Sequence, residues 1–179
     1  MFKTTEDSRI QISELMLPSH ANFGGKIHGG YILSLMDRIA FACASKHSRS
    51  YCVTASVNKV DFRNPIEVGE LVTLKASINY VGKSSMVVGI RVESENIRTG
   101  KTKHCNSSYF IMVAVDEVGK TVLVPGLILK TKMDAKRFIK SIIRRESDAK
   151  RNEDLDSIYK NVDDHLDQLK DYRVQIDFK

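Results

Sequence analysis

Asp37 is the side chain whose surroundings most need a chemical explanation. It lies in the run Tyr31 to Ser45, Tyr-Ile-Leu-Ser-Leu-Met-Asp-Arg-Ile-Ala-Phe-Ala-Cys-Ala-Ser, which is apolar nearly all round. An ionised carboxylate sunk in such a run is costly unless something compensates it. Two readings fit the letters. Either Asp37 and Arg38 form the one solvent-facing edge of a helix, or Asp37 is a buried acid one turn from Leu33 and Phe41. Buried acids are rare, but they mark functional sites when they occur. Just upstream, Asn22-Phe23-Gly24-Gly25-Lys26-Ile27-His28-Gly29-Gly30 packs its glycines into a loop that runs straight into the helix. Glycines there let a ligand or another backbone approach closely, although a tight turn alone would also use them. The first turn of a helix leaves N–H groups unpaired and partly positive, suited to a developing oxyanion. A helix end of that kind, with a carboxylate two turns further in, offers oxyanion donors and a general base on one element.

Other catalytic frames are missing from the sequence. Gly-x-Ser-x-Gly does not occur, so no nucleophilic serine elbow is expected. Cys43, Cys52 and Cys105 are odd in number, far apart, and in no recognisable frame with a histidine. They show neither a disulfide framework nor metal-ligand spacing, and read as reduced thiols in a cytoplasmic protein with no metal site.

The elements that must position Asp37 follow from periodicity. Val72, Leu74, Ala76, Ile78 and Tyr80 alternate with polar residues, as do Met86, Val88, Ile90 and Val92, which predicts two half-buried strands joined at Gly82-Lys83. A third long strand is expected from about Lys103 to Val115, reached through Arg98-Thr99-Gly100-Lys101. Val53 to Phe62 reads as a strand whose apolar phase slips between Val57 and Val60, and a weaker strand covers about Ile10 to Leu17, ended by Pro18. The one convincing helix of the first two-thirds starts at Gly29-Gly30, runs to about Lys46 and reads as buried on most sides. One such helix beside antiparallel strands fits an α+β domain whose sheet curls around the helix, or an ordinary α+β sandwich. From about Asp134 the chain reads as helical, with Leu155, Ile158, Tyr159, Val162, Leu166 and Leu169 forming an apolar stripe. Val174, Ile176 and Phe178 alternate like a short final strand.

Composition narrows the partners. The chain of 179 residues has a net charge of +6. The basic excess peaks between Lys130 and Arg145, with seven Lys or Arg against Asp134. Interleaved aromatics or a reading motif are missing there, so a solvated helical face is expected rather than a nucleic-acid surface. The polar, mixed-charge start from Met1 does not resemble a secretory signal, and the stretch from Ile32 to Ala44 is too short and too charged to span a bilayer.

Asn22-x-x-Gly25-x-x-His28-Gly29-Gly30-x-x-Leu33-x-x-Met36-Asp37 resembles the helix motif of hot-dog-fold acyl-CoA thioesterases. It is most similar to the group of brain-type acyl-CoA hydrolase and the small bacterial thioesterases related to it. Further matches follow in order: Val60-Asp61-Phe62, Pro65 with Val68-Gly69-Glu70, Val81-Gly82-Lys83-Ser84-Ser85-Met86, and Val113-Ala114-Val115-Asp116 with Gly119-Lys120 and Val124-Pro125. The resemblance covers roughly residues 8–127, and residues 128–179 form a mostly helical extension without a counterpart. It implies a long central helix wrapped by a curved antiparallel sheet, dimers that pair sheets edge to edge, and hexamers built as trimers of dimers, the assembly common in this group. It also implies sites at the dimer interface, with the acid and the asparagine contributed by different copies. Carried over, Asp37 is the general base or nucleophile, Asn22 positions water or the thioester, and Gly30 supplies an N–H to the thioester oxygen. Gly29 is placed with the residues that bind coenzyme A, Gly82, Lys83, Ser84 and Ser85 resemble the segment that lies along it, and Arg63 and Arg98 are electrostatic candidates for its phosphates. No cofactor is implied, since coenzyme A is part of the substrate. His28 is read as shaping the loop, because the position accepts other residues in the family, although an imidazole carries protons readily near neutral pH. The alternatives are a hot-dog dehydratase or hydratase, disfavoured because those pair a histidine with a helix Glu, and a non-catalytic acyl-CoA or nucleotide sensor.

Overall fold

The computed structural model describes residues 1–178. The backbone forms two compact units, Met1–Phe138 and the residues from Ile139 onward.

The first unit holds the α+β fold. Strands β1 (Phe2–Thr4), β2 (Ile10–Leu15), β3 (Tyr51–Val57), β4 (Glu70–Val81), β5 (Ser85–Asn96), β6 (Lys101–Val115) and β7 (Gly126–Ile128) are joined by the short helix α1 (Thr5–Ser8) and the 20-residue helix α2 (Gly29–Ser48). Five strands form one antiparallel sheet in the order β2-β4-β5-β6-β3, curled about α2. The alternation read from the sequence decides which side chains meet the helix. Val72, Leu74, Ala76 and Ile78 of β4, Val88, Ile90 and Val92 of β5, and Phe110, Met112 and Ala114 of β6 are buried. They pack in one core with Ile32, Leu35, Met36, Ile39, Ala40 and Cys43 of α2. Lys75 and Arg91 pair on the opposite face, as strand alternation requires.

Several sequence expectations are corrected. The strand expected to reach Phe62 ends at Val57, and its register slip falls earlier, between Thr54 and Ser56. Residues 58–64 still run beside β6 but are held singly: the Asn58 N–H donates to the Tyr109 carbonyl (3.0 Å) and the Arg63 N–H to the Cys105 carbonyl (2.9 Å). The first residues, read only as polar, form β1 because Gly126–Ile128 offers a parallel partner. This unit therefore reaches past residues 8–127 at both ends.

Helix α3 (Lys132–Lys160) is 29 residues long and begins at a capping box. The Thr131 hydroxyl accepts from the Asp134 N–H (3.1 Å), while the Asp134 carboxylate accepts from the Thr131 N–H (3.0 Å). A 3-10 helix over Val162–Asp171 follows. The short final strand expected at Val174 to Phe178 does not form, because an alternating segment without a neighbouring strand has nothing to pair with. No helix among the described residues is long and apolar enough to cross a membrane.

Candidate active site

The glycine-rich segment ahead of α2 is a braced turn. The Asn22 N–H donates to the Lys26 carbonyl (2.7 Å) and the Gly25 N–H to the Asn22 carbonyl (3.0 Å). Gly25 takes φ +73°, which an L side chain rarely adopts. The Asn22 Oδ1 accepts from the Gly24 N–H (2.9 Å) and the Lys26 N–H (3.2 Å). That fixes the amide orientation and leaves Nδ2 facing outward, with no acceptor among the described residues. Asn22 is therefore presented as a donor.

His28 is the N-cap of α2, and its Nδ1 accepts the Gly30 N–H at 3.0 Å. The expectation that His28 shapes the loop agrees with this geometry. The Gly30 N–H, expected to meet the thioester oxygen, is thus held by His28 in the single chain. The Gly29 N–H is the first-turn donor without an acceptor among the described residues. Both glycines are closely approached: a Cβ on Gly30 would meet the His28 ring at 3.0 Å, and one on Gly29 the Phe62 ring at 3.2 Å, so either ring would have to give way slightly. The same end of the helix is anchored by Tyr31, whose hydroxyl donates to Glu14 and whose ring stacks on His20 with centroids 3.9 Å apart. The bond to Glu14 is the largest cause holding the Tyr31 hydroxyl above its ordinary titration range.

Asp37 settles the choice between the two sequence readings for a single chain. The sheet buries Met36, Ile39, Ala40 and Cys43, and α2 turns Ser34, Asp37, Arg38 and Phe41 outward. The Asp37 Oδ1 accepts from the Thr54 hydroxyl at 2.7 Å. Thr54 pairs with Met112 on β3, the edge strand of the sheet, immediately before its register slip. Sequence reasoning missed Thr54, because a lone threonine in an alternating stretch carries no signal. Two cavities flank the carboxylate. One, of about 490 Å³, is lined by Asp37, Arg38, Phe41, Tyr51, Val53 and Thr54 among others. The other, of about 550 Å³, includes Leu33, Asp37, Val57, Val60 and Phe110. Phe41 and Tyr51 meet edge to face at 5.3 Å. The surroundings of Asp37 are thus open and of mixed character, with Arg38 and Lys59 also lining the cavities, and the Thr54 hydroxyl is its one hydrogen-bond donor among the described residues.

The remaining expected site residues do not converge in one chain. Gly30 and Asp37 are seven residues apart on one helix, or about 10 Å along its axis, and neither cavity at Asp37 includes Asn22 or Gly30. Gly82, Lys83, Ser84 and Ser85 form the β4–β5 turn, tied by the Gly82 N–H to the Ser85 carbonyl (2.7 Å) and by the Val124 N–H to the Lys83 carbonyl (3.0 Å). Arg98 lies at the far end of β5, some 35 Å away for a strand of that length, so Lys83 and Arg98 do not flank one local pocket. Arg63 is exposed, beside Phe62 and hence near the start of α2. Among the described residues no group of three or more His, Cys, Asp or Glu is placed to hold a metal.

Comparison with known proteins supplies what geometry alone does not. A family model described as the thioesterase superfamily matches residues 24–101. Protein VdlD of Helicobacter pylori is 42% identical over 143 residues, which span 80% of this chain and 82% of VdlD. A solved apo-hexameric acyl-CoA thioesterase matches with TM-score 0.82 and 36% identity, over 84% of this chain and 97% of that one. An acyl-CoA hydrolase from Staphylococcus aureus, solved with butyryl coenzyme A, coenzyme A and coenzyme A disulfide, matches with TM-score 0.80 and 29% identity, over 89% and 98% of the two chains.

Proposed function

Because this chain belongs to the thioesterase superfamily, with the hot-dog fold, and is a thioester hydrolase, we propose that it cleaves acyl-CoA to a free carboxylic acid and coenzyme A, with Asp37 as the base and the site shared between two copies. The observation that carries the reading is the placement of Asp37: outward on α2, bonded to one hydroxyl, between two open cavities with apolar side chains in both, and about two turns from the helix end that would hold the oxyanion. One thioester carbonyl cannot meet both groups across that spacing. A second copy bringing its own Asn22 and helix end to Asp37 removes the difficulty, and it also covers the exposed apolar rim of Phe41, Tyr51, Val53 and Val57.

In this arrangement the Asp37 carboxylate takes a proton from water as the water oxygen attacks the thioester carbon. The Thr54 hydroxyl holds the carboxylate in place. The carbonyl oxygen, negative in the tetrahedral intermediate, is met by the other copy's Asn22 Nδ2 and Gly29 N–H, and by the Gly30 N–H once His28 yields it. Collapse of the intermediate breaks the C–S bond, and the sulfur leaves as the thiolate of coenzyme A, which is protonated on release. Asp37 as a nucleophile would give a mixed anhydride instead. The bond to Thr54 and the open cavities on both sides favour the water route.

Assembly to a hexamer, as in the solved hexameric thioesterase, belongs to the same proposal, as does a reducing cytoplasmic setting, which suits three buried free thiols. Release of free thiol from a panel of acyl-CoAs, two to sixteen carbons long, is the test. Release with at least one chain length is expected. Tight binding without release at any length would reject the hydrolase in favour of a sensor.

A further inference from the structure

Phe23 is an exposed aromatic that nothing within one chain explains. Its ring is fully exposed at the tip of the Asn22–Lys26 turn. The turn beneath it is rigidly made: besides its internal bonds, the Ile27 N–H donates to the Ile66 carbonyl (2.9 Å) and Lys26 pairs with Glu67 at 2.6 Å. A large ring displayed on a braced turn is set for an apolar partner, since leaving it in water forfeits its burial. The rim around Asp37 is the complementary surface, with Phe41, Tyr51, Val53 and Val57 all exposed in one chain.

We propose that Phe23 of one copy forms the wall of the acyl channel at the Asp37 of a second copy, and sets the preference for acyl-chain length. The inference rests on the shared-site reading and extends it to the substrate class. Consecutive Cα atoms lie about 3.8 Å apart, so a turn that delivers Asn22 Nδ2 to the reacting carbonyl also delivers Phe23 within a side chain's reach of it. The two neighbours then divide the acyl group. Asn22 meets the polar carbonyl, and Phe23 meets the methylenes that follow it. A ring in that position favours unbranched saturated chains long enough to lie against it. Because each buried methylene is worth roughly a fourfold gain in affinity, the contribution of Phe23 grows with chain length before it levels off at the ring's width.

Hybrid oligomers test this directly. Mixing an Asp37→Asn chain with an Asn22→Ala chain leaves each mixed pair one competent site, built from Asn22 and Phe23 of the first chain and Asp37 of the second. Phe23→Ala on the Asp37→Asn chain is expected to lower kcat/KM roughly tenfold for octanoyl-CoA and about threefold for butyryl-CoA, with the loss carried by KM. The same substitution on the Asn22→Ala chain falls on the inactive site and does not move the octanoyl-to-butyryl ratio. Phe23→Leu on the first chain recovers most of the loss. Active hybrids whose ratio stays flat, or moves equally from either chain, overturn the role of Phe23 and leave the shared site standing. A Phe23→Ala hybrid that no longer assembles by light scattering assigns the ring to subunit adhesion and likewise overturns it. Hybrids without any activity after verified exchange overturn the shared site itself, and the inference with it.

Discussion

Two carboxylates in this fold are treated in opposite ways. Glu70, at the head of β4, is buried and fully served: Lys103 pairs with it at 2.8 Å, the Ser94 hydroxyl donates at 2.9 Å and the Glu67 N–H at 3.0 Å. Asp37 faces outward with one donor among the described residues, the Thr54 hydroxyl, and open space on both sides. Burial works to raise the Glu70 carboxyl, but the bonds from Lys103, the Glu67 amide and Ser94 outweigh it and hold the group below its ordinary 4.5. In this chain, then, burial and a displaced titration mark the acid that fastens β4 to the preceding turn. A buried carboxylate already held by three donors is poorly placed to take a proton from a water molecule. The acid with room to work is the one that a single chain leaves unfinished.

The comparison breaks most visibly at Asp37. Asp37→Asn is expected to lower kcat by roughly 10²- to 10⁴-fold, as for loss of a general base, with little change in unfolding midpoint. A folded Glu70→Gln variant that lost as much turnover would erase the distinction. Thr54→Val comes next. It removes the one bond that orients the carboxylate and should cost about 10- to 100-fold in kcat, the worth of a hydrogen bond to a charged group. Glu70→Gln should keep turnover and instead lower the stability to urea by about 2 kcal/mol, because Lys103 is left facing a neutral amide.

The smallest effect is a pH slope. Burial holds the His47 imidazole below its ordinary 6.5, against the bond to the Pro125 carbonyl that favours the charged form. The unfolded chain therefore takes up this proton first. The stability contribution is complete above 6.5 and is lost as pH falls from there through the lower folded value. Glu70 adds a second decline with the same sign, complete above 4.5 and lost as pH falls through its lower folded value. Urea midpoints measured across this range should fall in two stages. His47→Gln should remove the upper stage and Glu70→Gln should shrink the lower one, to which Glu93 and Asp134 also contribute, and unchanged stages in both variants would contradict the assignment.

Much of the fold was legible because alternation and turn residues are local signals. Val72 to Tyr80, Met86 to Val92 and the Gly82-Lys83 turn lie where the letters put them, as does the start of α2 at Gly29. What the letters did not carry depends on a partner. β1 exists because Gly126–Ile128 lies alongside it, and β3 stops at Val57 because β6 no longer offers regular pairing. The exposure of Asp37 was ambiguous for a related reason. Leu33 and Phe41 look like core letters, yet the sheet covers only one side of α2, and hydropathy does not distinguish burial by a sheet from burial by another molecule. The occupied N–H of Gly30 was illegible as well, since His28 as a cap requires its rotamer and not just its position. Thr54 lies immediately before a register slip that the sequence placed several residues too late.

The central claim is that one catalytic centre takes Asn22 from one copy and Asp37 from another. Chains carrying Asn22→Ala and Asp37→Asn, each inactive alone, can be mixed, exchanged and assayed for thiol release from acyl-CoA. Random pairing should return activity to roughly a quarter of the unsubstituted protein, since half the pairs are mixed and each carries one complete site. No return of activity, with subunit exchange verified by differently tagged chains, would contradict the account.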